Sequence, residues 1–145
     1  MGKLRNLKER VEEFLHRMGL DAKGEGIYLF RRGTTAVTVS LLADERHSYV
    51  RVVATLLTGI DQPGLELLRR INRLNGEVQF GAFILFDDGN LCFAATILGD
   101  RLDYEELESV LSYVSGVGDV YDEQLQEIAG GMRVKDVLDA EEQVD

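Results

Sequence analysis

The chain lacks most of the residues on which chemistry is usually built. Among its 145 residues are one cysteine, one proline, two histidines and no tryptophan. A single thiol, Cys92, excludes an intramolecular disulfide framework and makes a structural zinc site improbable. His16 and His47 stand in separate segments with no cysteine or carboxylate at ligand spacing, so no metal is expected. Gly24-Glu25-Gly26 and Gly116-Val117-Gly118 each hold a GxG. Neither follows a strand and opens a helix with the full glycine pattern, so no dinucleotide cofactor is expected. No apolar run reaches the length of a membrane span. The first residues carry charge without an apolar core before a cleavage site, and Asn6 departs from the myristoylation pattern. A cytoplasmic, single-domain protein with no membrane partner is the simplest expectation.

What the chain does have is acid, placed unevenly. The net charge is −10. Residues 1–18 carry five basic and three acidic residues, and residues 19–98 eight and nine. Residues 99–145 carry three basic against fourteen acidic. Such a C-terminal part repels phosphate backbones, which argues against nucleic acid as a partner. Charge blocks of this kind commonly make a solvated helix face or tail.

Periodicity supplies the elements. Leu4, Leu7, Val11, Phe14, Leu15 and Met18 recur at helical steps, and Gly19 suits the end of that helix. Three strand-like runs follow, Ile27 to Arg32, Thr35 to Leu42 and Ser48 to Leu57. Their short links, Gly33-Thr34 and Ala43 to His47, predict an antiparallel meander, because parallel strands need long crossovers. Pro63 marks the start of a second helix, with Asp61 as its candidate cap and Leu65, Leu67, Leu68, Ile71 and Leu74 as its apolar side. Asn75-Gly76 predicts its end. Val78 to Phe86 and Leu91 to Leu98 then form a hairpin about Asp87-Asp88-Gly89-Asn90. Asp103 with Glu106 predicts a capped third helix. Its stripe runs from Leu107 to Ile128, with a bend or break expected near Ser115–Asp119 because Gly116 and Gly118 weaken its centre. Gly130-Gly131 ends it. The expectation is one α+β domain over residues 1–131, of order α-β-β-β-α-β-β-α with an antiparallel sheet packed with helices. Residues 132–145 follow as an acidic tail, with a short helix about Val134, Val137 and Leu138 as one of its two expected states and a mobile segment as the other.

Candidate catalytic groups fail one by one. Cys92 alternates with Leu91 and Phe93 in a strand and has no histidine near it in sequence, which describes a buried inert thiol. Asp87-Asp88 is a carboxylate pair, but a hairpin turn uses such residues anyway. Arg31-Arg32 and Arg69-Arg70-Arg73 could form a basic patch, but solvated ends of elements are the commoner explanation. No catalytic residue is assigned, and the chain is not expected to be an enzyme.

The sheet itself offers a binding argument. Alternation separates Phe83 and Leu85 from Val78, Phe80, Ala82, Ile84 and Phe86. It also separates Val53 and Leu57 from Val50, Val52, Ala54 and Leu56, and Leu98 from Ile97. Both faces are apolar, so both have to be covered. The face carrying Val53, Leu57, Phe83, Leu85 and Leu98 is the expected partner-binding surface.

The element order also carries a resemblance. Leu74-Asn75, Phe80-Gly81-Ala82-Phe83, Asp88-Gly89-Asn90-Leu91, Leu102-Asp103, Val110, Val114 and Asp119-Val120-Tyr121-Asp122 resemble the YbjN-like domains. These are grouped with the bacterial type III secretion chaperones. The resemblance covers about Leu4 to Ile128 and rests on soft motifs; the paired glycines of the third helix and the acidic tail depart from it. It implies a type III secretion chaperone-like α+β fold, frequently dimeric, that binds protein segments and has no catalytic residues. The function expected first is therefore a chaperone-like or adaptor module that binds a protein segment, as a homodimer. A regulatory dimerisation or sensory domain without a client, and a small-molecule binder, are the alternatives.

Overall fold

The computed structural model describes residues 2–33 and 35–144, with side chains as far as Glu141. Met1, Asp145 and Thr34 of the expected Gly33-Thr34 link lie outside them. The elements are α1 (Gly2–Arg17), β1 (Ile27–Arg32), β2 (Thr35–Ala43), β3 (Ser48–Thr58) and α2 (Leu65–Glu77). They continue with β4 (Ala82–Leu85), β5 (Leu91–Leu98), α3 (Tyr104–Ala129), β6 (Met132–Arg133) and α4 (Val134–Val144). The main strands pair antiparallel in the order β1-β2-β3-β5-β4, with β6 on β3. This is the α+β architecture expected, built by hairpins and one helical connection.

One face of the sheet makes the core. Val37, Val39, Val50, Val52, Ala54 and Phe93 meet Leu7, Val11 and Leu15 of α1 and Leu107, Leu111 and Val114 of α3, all buried. α3 begins where the sequence predicts, with Asp103 accepting a hydrogen bond from the Glu106 N–H at 2.8 Å. It then runs through Gly116 and Gly118 as one helix, without the expected break. The reason is packing. A Cβ on Gly118 would lie 2.3 Å from Thr35 Cγ2, so the glycine lets the helix settle onto β2. Contact with the sheet offsets a propensity cost of about 1 kcal/mol.

α2 departs from expectation in three ways. It starts at Leu65, beyond Asp61, with Gly64 as an N-cap that supplies no side-chain hydrogen bond. It passes through Asn75-Gly76 and ends at Glu77. Asn75 instead clasps the edge strand: its Oδ1 accepts from the Phe83 N–H at 2.7 Å and its Nδ2 donates to the Phe83 carbonyl at 3.0 Å. Leu67, Ile71 and Leu74 are buried, while Leu65 and Leu68 face outward. The strand expected from Val78 shrinks to Ala82–Leu85, because Gly81 turns the backbone at φ +81 and sits against the Phe93 ring.

Past α3, Gly130 and Gly131 both adopt positive φ and reverse the chain. A Cβ on Gly131 would stand 2.5 Å from the Thr58 carbonyl oxygen, so only glycine fits there without a shift. β6 then pairs with Leu57 and Thr58. Arg133 reaches back to α3, with Nε 3.4 Å from Asp122 and Nη1 3.0 Å from Glu123.

Candidate protein-binding surface

The face of the sheet opposite α1 and α3 can be read as rows from the register. Leu42, Tyr49 and Leu98 stand side by side across β2, β3 and β5. Next come Ile27, Ser40, Arg51 and Thr96, then Leu29, Thr38, Val53, Ala94 and Ala82. The last row is Arg31, Ala36, Thr55, Cys92 and Ile84. The first rows are open: Ile27 is 58% exposed, Leu29 71%, Leu98 55%, and Leu42 is exposed as well. Apolar side chains so exposed on a sheet mark an interaction surface more often than those scattered singly. β1 is also an edge strand, with one side of its backbone paired to β2.

The last row is different. α4 packs against β2 and β3. It lies on this face, because Arg31, in the same strand parity as Ile27 and Leu29, meets Asp139 at 2.8 Å. The other face at that end is filled by Gly118 against Thr35. Cys92 is buried in this row, as is Ala94 in the row before it.

This register redistributes the expected partner-binding residues. Val53 and Leu98 do share the open face, but Phe83 and Leu85 do not. Phe83 pairs with Phe93 and Leu85 with Leu91, which turns both toward the helices. Phe83 is buried, edge-on to Phe93 and Tyr121 with ring centroids 4.9 and 5.5 Å apart. Leu57 is also buried, because the β3–β5 register shifts between Thr55 and Leu57. Such an irregularity ends strict alternation, so Leu56 and Leu57 both enter the core. Ile27, Leu29 and Leu42 are exposed apolar residues of this face that the expected surface did not include. Their alternation with Tyr28, Phe30 and Leu41 was visible, but which side would be covered was not.

The polar cluster at the β2–β3 turn serves structure. Asp100 accepts hydrogen bonds from the Ser48 N–H at 2.8 Å and the Ser48 hydroxyl at 2.9 Å, and faces His47 Nδ1 at 2.6 Å. His47 and the Ser48 hydrogen bonds hold the Asp100 carboxyl well below the usual carboxylate range. The Ser48 hydroxyl donates to the carboxylate and not to the imidazole, so this trio fastens the β2–β3 turn and is not a nucleophile relay. Burial raises the pKa of the Cys92 thiol, which touches Thr55 at 3.6 Å and stays protonated. Among the described residues, no group of three or more His, Cys, Asp or Glu converges as a metal site would. Among them, too, no helix is long and apolar enough to cross a membrane.

Comparison with known proteins gives this architecture a family. The model for the T3SS (YopN, CesT) and YbjN peptide-binding chaperone 1 family matches residues 5–137. Among solved structures, the chain is similar to that of the ExsC–ExsE complex at 25% identity and TM-score 0.65, over 84% of this chain and 95% of the other. It shares its fold with the ExoU–SpcU complex from the type III secretion system of Pseudomonas aeruginosa. There the TM-score is 0.59 at 12% identity, over 83% and 98% of the two chains. The Yersinia pestis type III secretion chaperone SycH, in complex with a fragment of YscM2, gives a TM-score of 0.59 at 16% identity, over 79% and 98%. Sequence comparison with curated proteins gives no match. The chain belongs to the T3SS and YbjN peptide-binding chaperone family, a class of binding proteins and not of enzymes.

Proposed function

We propose that this chain is a cytoplasmic chaperone or adaptor that holds a segment of a protein partner on the open face of its sheet, and that it does so as a homodimer. The observation that carries the reading is the apolar band of Ile27, Leu29, Leu42 and Leu98 beside the edge strand β1. A segment laid there gains both a row of apolar contacts and strand addition to β1. Two structurally similar chaperones, SycH and that of the HopA1–SchA chaperone–effector complex, were solved with a protein bound, which supports the same partner class here. The homodimer rests on a second surface. Leu65 and Leu68 face outward from α2, and Phe80 and Phe86 are exposed on either side of β4, the other edge strand. Joining such surfaces across a two-fold axis would cover both copies at once. The cytoplasmic assignment is supported by a lone unpaired thiol, which suits a reducing compartment.

The test is recovery of the tagged full chain from its own cells, with identification of what it retains. A specific protein should be held by the natural chain and lost from Leu29→Asp and Leu98→Asp, whose sites are exposed and tolerate charge without unfolding. A folded chain that retains nothing, yet dimerises, would point instead to a regulatory dimerisation domain.

A further inference from the structure

α4 covers one end of the face whose other end is open, and three observations set it apart from the core. The face carries Arg31 at the end that α4 covers and Arg51 in an open row, while α4 itself carries Asp136, Asp139 and Glu141 and one lysine, Lys135. Its polar contact is peripheral: the Arg31–Asp139 pair is 32% and 41% exposed at its two side chains. Of its described side chains only Val134 is buried, and its other large apolar side chains, Val137 and Leu138, are half-buried. The match to the chaperone family also stops at residue 137, inside this helix.

We infer that α4 is a displaceable strap: it occupies in cis the end of the sheet face that a partner segment occupies when bound along the whole face. This rests on the segment-binding reading above. A segment running down the face from Leu42 and Leu98 meets α4 at the row of Arg31, Ala36 and Thr55. Full engagement therefore requires α4 to leave, and apparent affinity is the intrinsic affinity scaled by the fraction of molecules with the strap open. β6 and the Arg133 contacts to Asp122 and Glu123 lie on the hinge side and keep the released helix tethered.

The test uses the full chain with Arg31→Glu, which sets like charge against Asp139, and the exchanged pair Arg31→Glu/Asp139→Arg. Amide hydrogen exchange reads strap opening in α4, with β3 and β5 amides as the control for global stability. Calorimetric titration with the purified protein recovered in the capture experiment reads affinity. Loss of a partly exposed ion pair should speed α4 exchange roughly fivefold and tighten binding by the same factor, with β3 and β5 unchanged. The exchanged pair should restore both. Faster α4 exchange with unchanged affinity overturns the strap while leaving segment binding intact. Unchanged α4 exchange overturns the latch and with it the inference. Absence of binding by every form overturns the segment-binding reading on which the inference stands.

Discussion

At the scale of single residues, two positions make the packing and electrostatic arguments measurable. Gly118→Ala should destabilise the fold by about 1–3 kcal/mol in chemical denaturation, although alanine favours helices, because its Cβ would overpack against Thr35 Cγ2. Thr35→Ser removes that methyl and keeps the hydroxyl, so the double variant should recover part of the loss; strict additivity would contradict the contact. Asp100 tests the sign of a pH effect. Its folded pKa is depressed, so its contribution is complete above the unfolded value of about 4 and is lost as pH falls toward the folded one. Asp100→Asn should therefore be less stable than the natural chain at neutral pH. The gap between the two melting curves should narrow as pH falls below about 4. A gap that widens in acid would contradict the assignment.

At the scale of elements, the C-terminal unit decides where the domain ends. We propose that residues 1–131 fold by themselves, because the core helices and all five long strands lie within them. Deleting residues 132–145 should leave a cooperative unfolding transition, with a midpoint lowered by the loss of Val134 burial and the β6 pairing. Loss of cooperativity would make α4 part of the core and would argue against a strap. Much of this layer was readable in the sequence. The order from α1 to α3 followed from helical and strand periods and from turn residues such as Gly33 and Asp88-Gly89. What was not readable depends on pairs of residues. The continuity of α3 needed Thr35 beneath Gly118, and the shortening of β4 needed the Phe93 ring beneath Gly81. The side of Leu57 needed the register shift after Thr55, and the sides of Phe83 and Leu85 needed their pairing with Phe93 and Leu91. The candidate surface was legible only as a surplus of apolar alternation. Choosing its face required knowing where α1, α3 and α4 come to rest.

At the scale of the whole molecule, the sheet has two edges and an uneven cover, and the proposal gives each a separate task. β1 and the open rows beside it take the partner segment; α2 and the β4 edge take the second copy. Leu68→Asp should shift the dimer toward monomer in sedimentation over a wide concentration range, with the monomer still unfolding cooperatively, since Leu68 faces outward. A monomer at every concentration in the natural chain would remove the homodimer and leave the segment surface standing. The most direct test of segment binding is a calorimetric titration of the full chain with the segment of its captured partner, at several temperatures. The account predicts saturable binding with a negative heat-capacity change, as apolar surface leaves water, and affinity at least tenfold weaker for Leu29→Asp. Equal affinity for the natural chain and Leu29→Asp, or a heat-capacity change near zero, would contradict it.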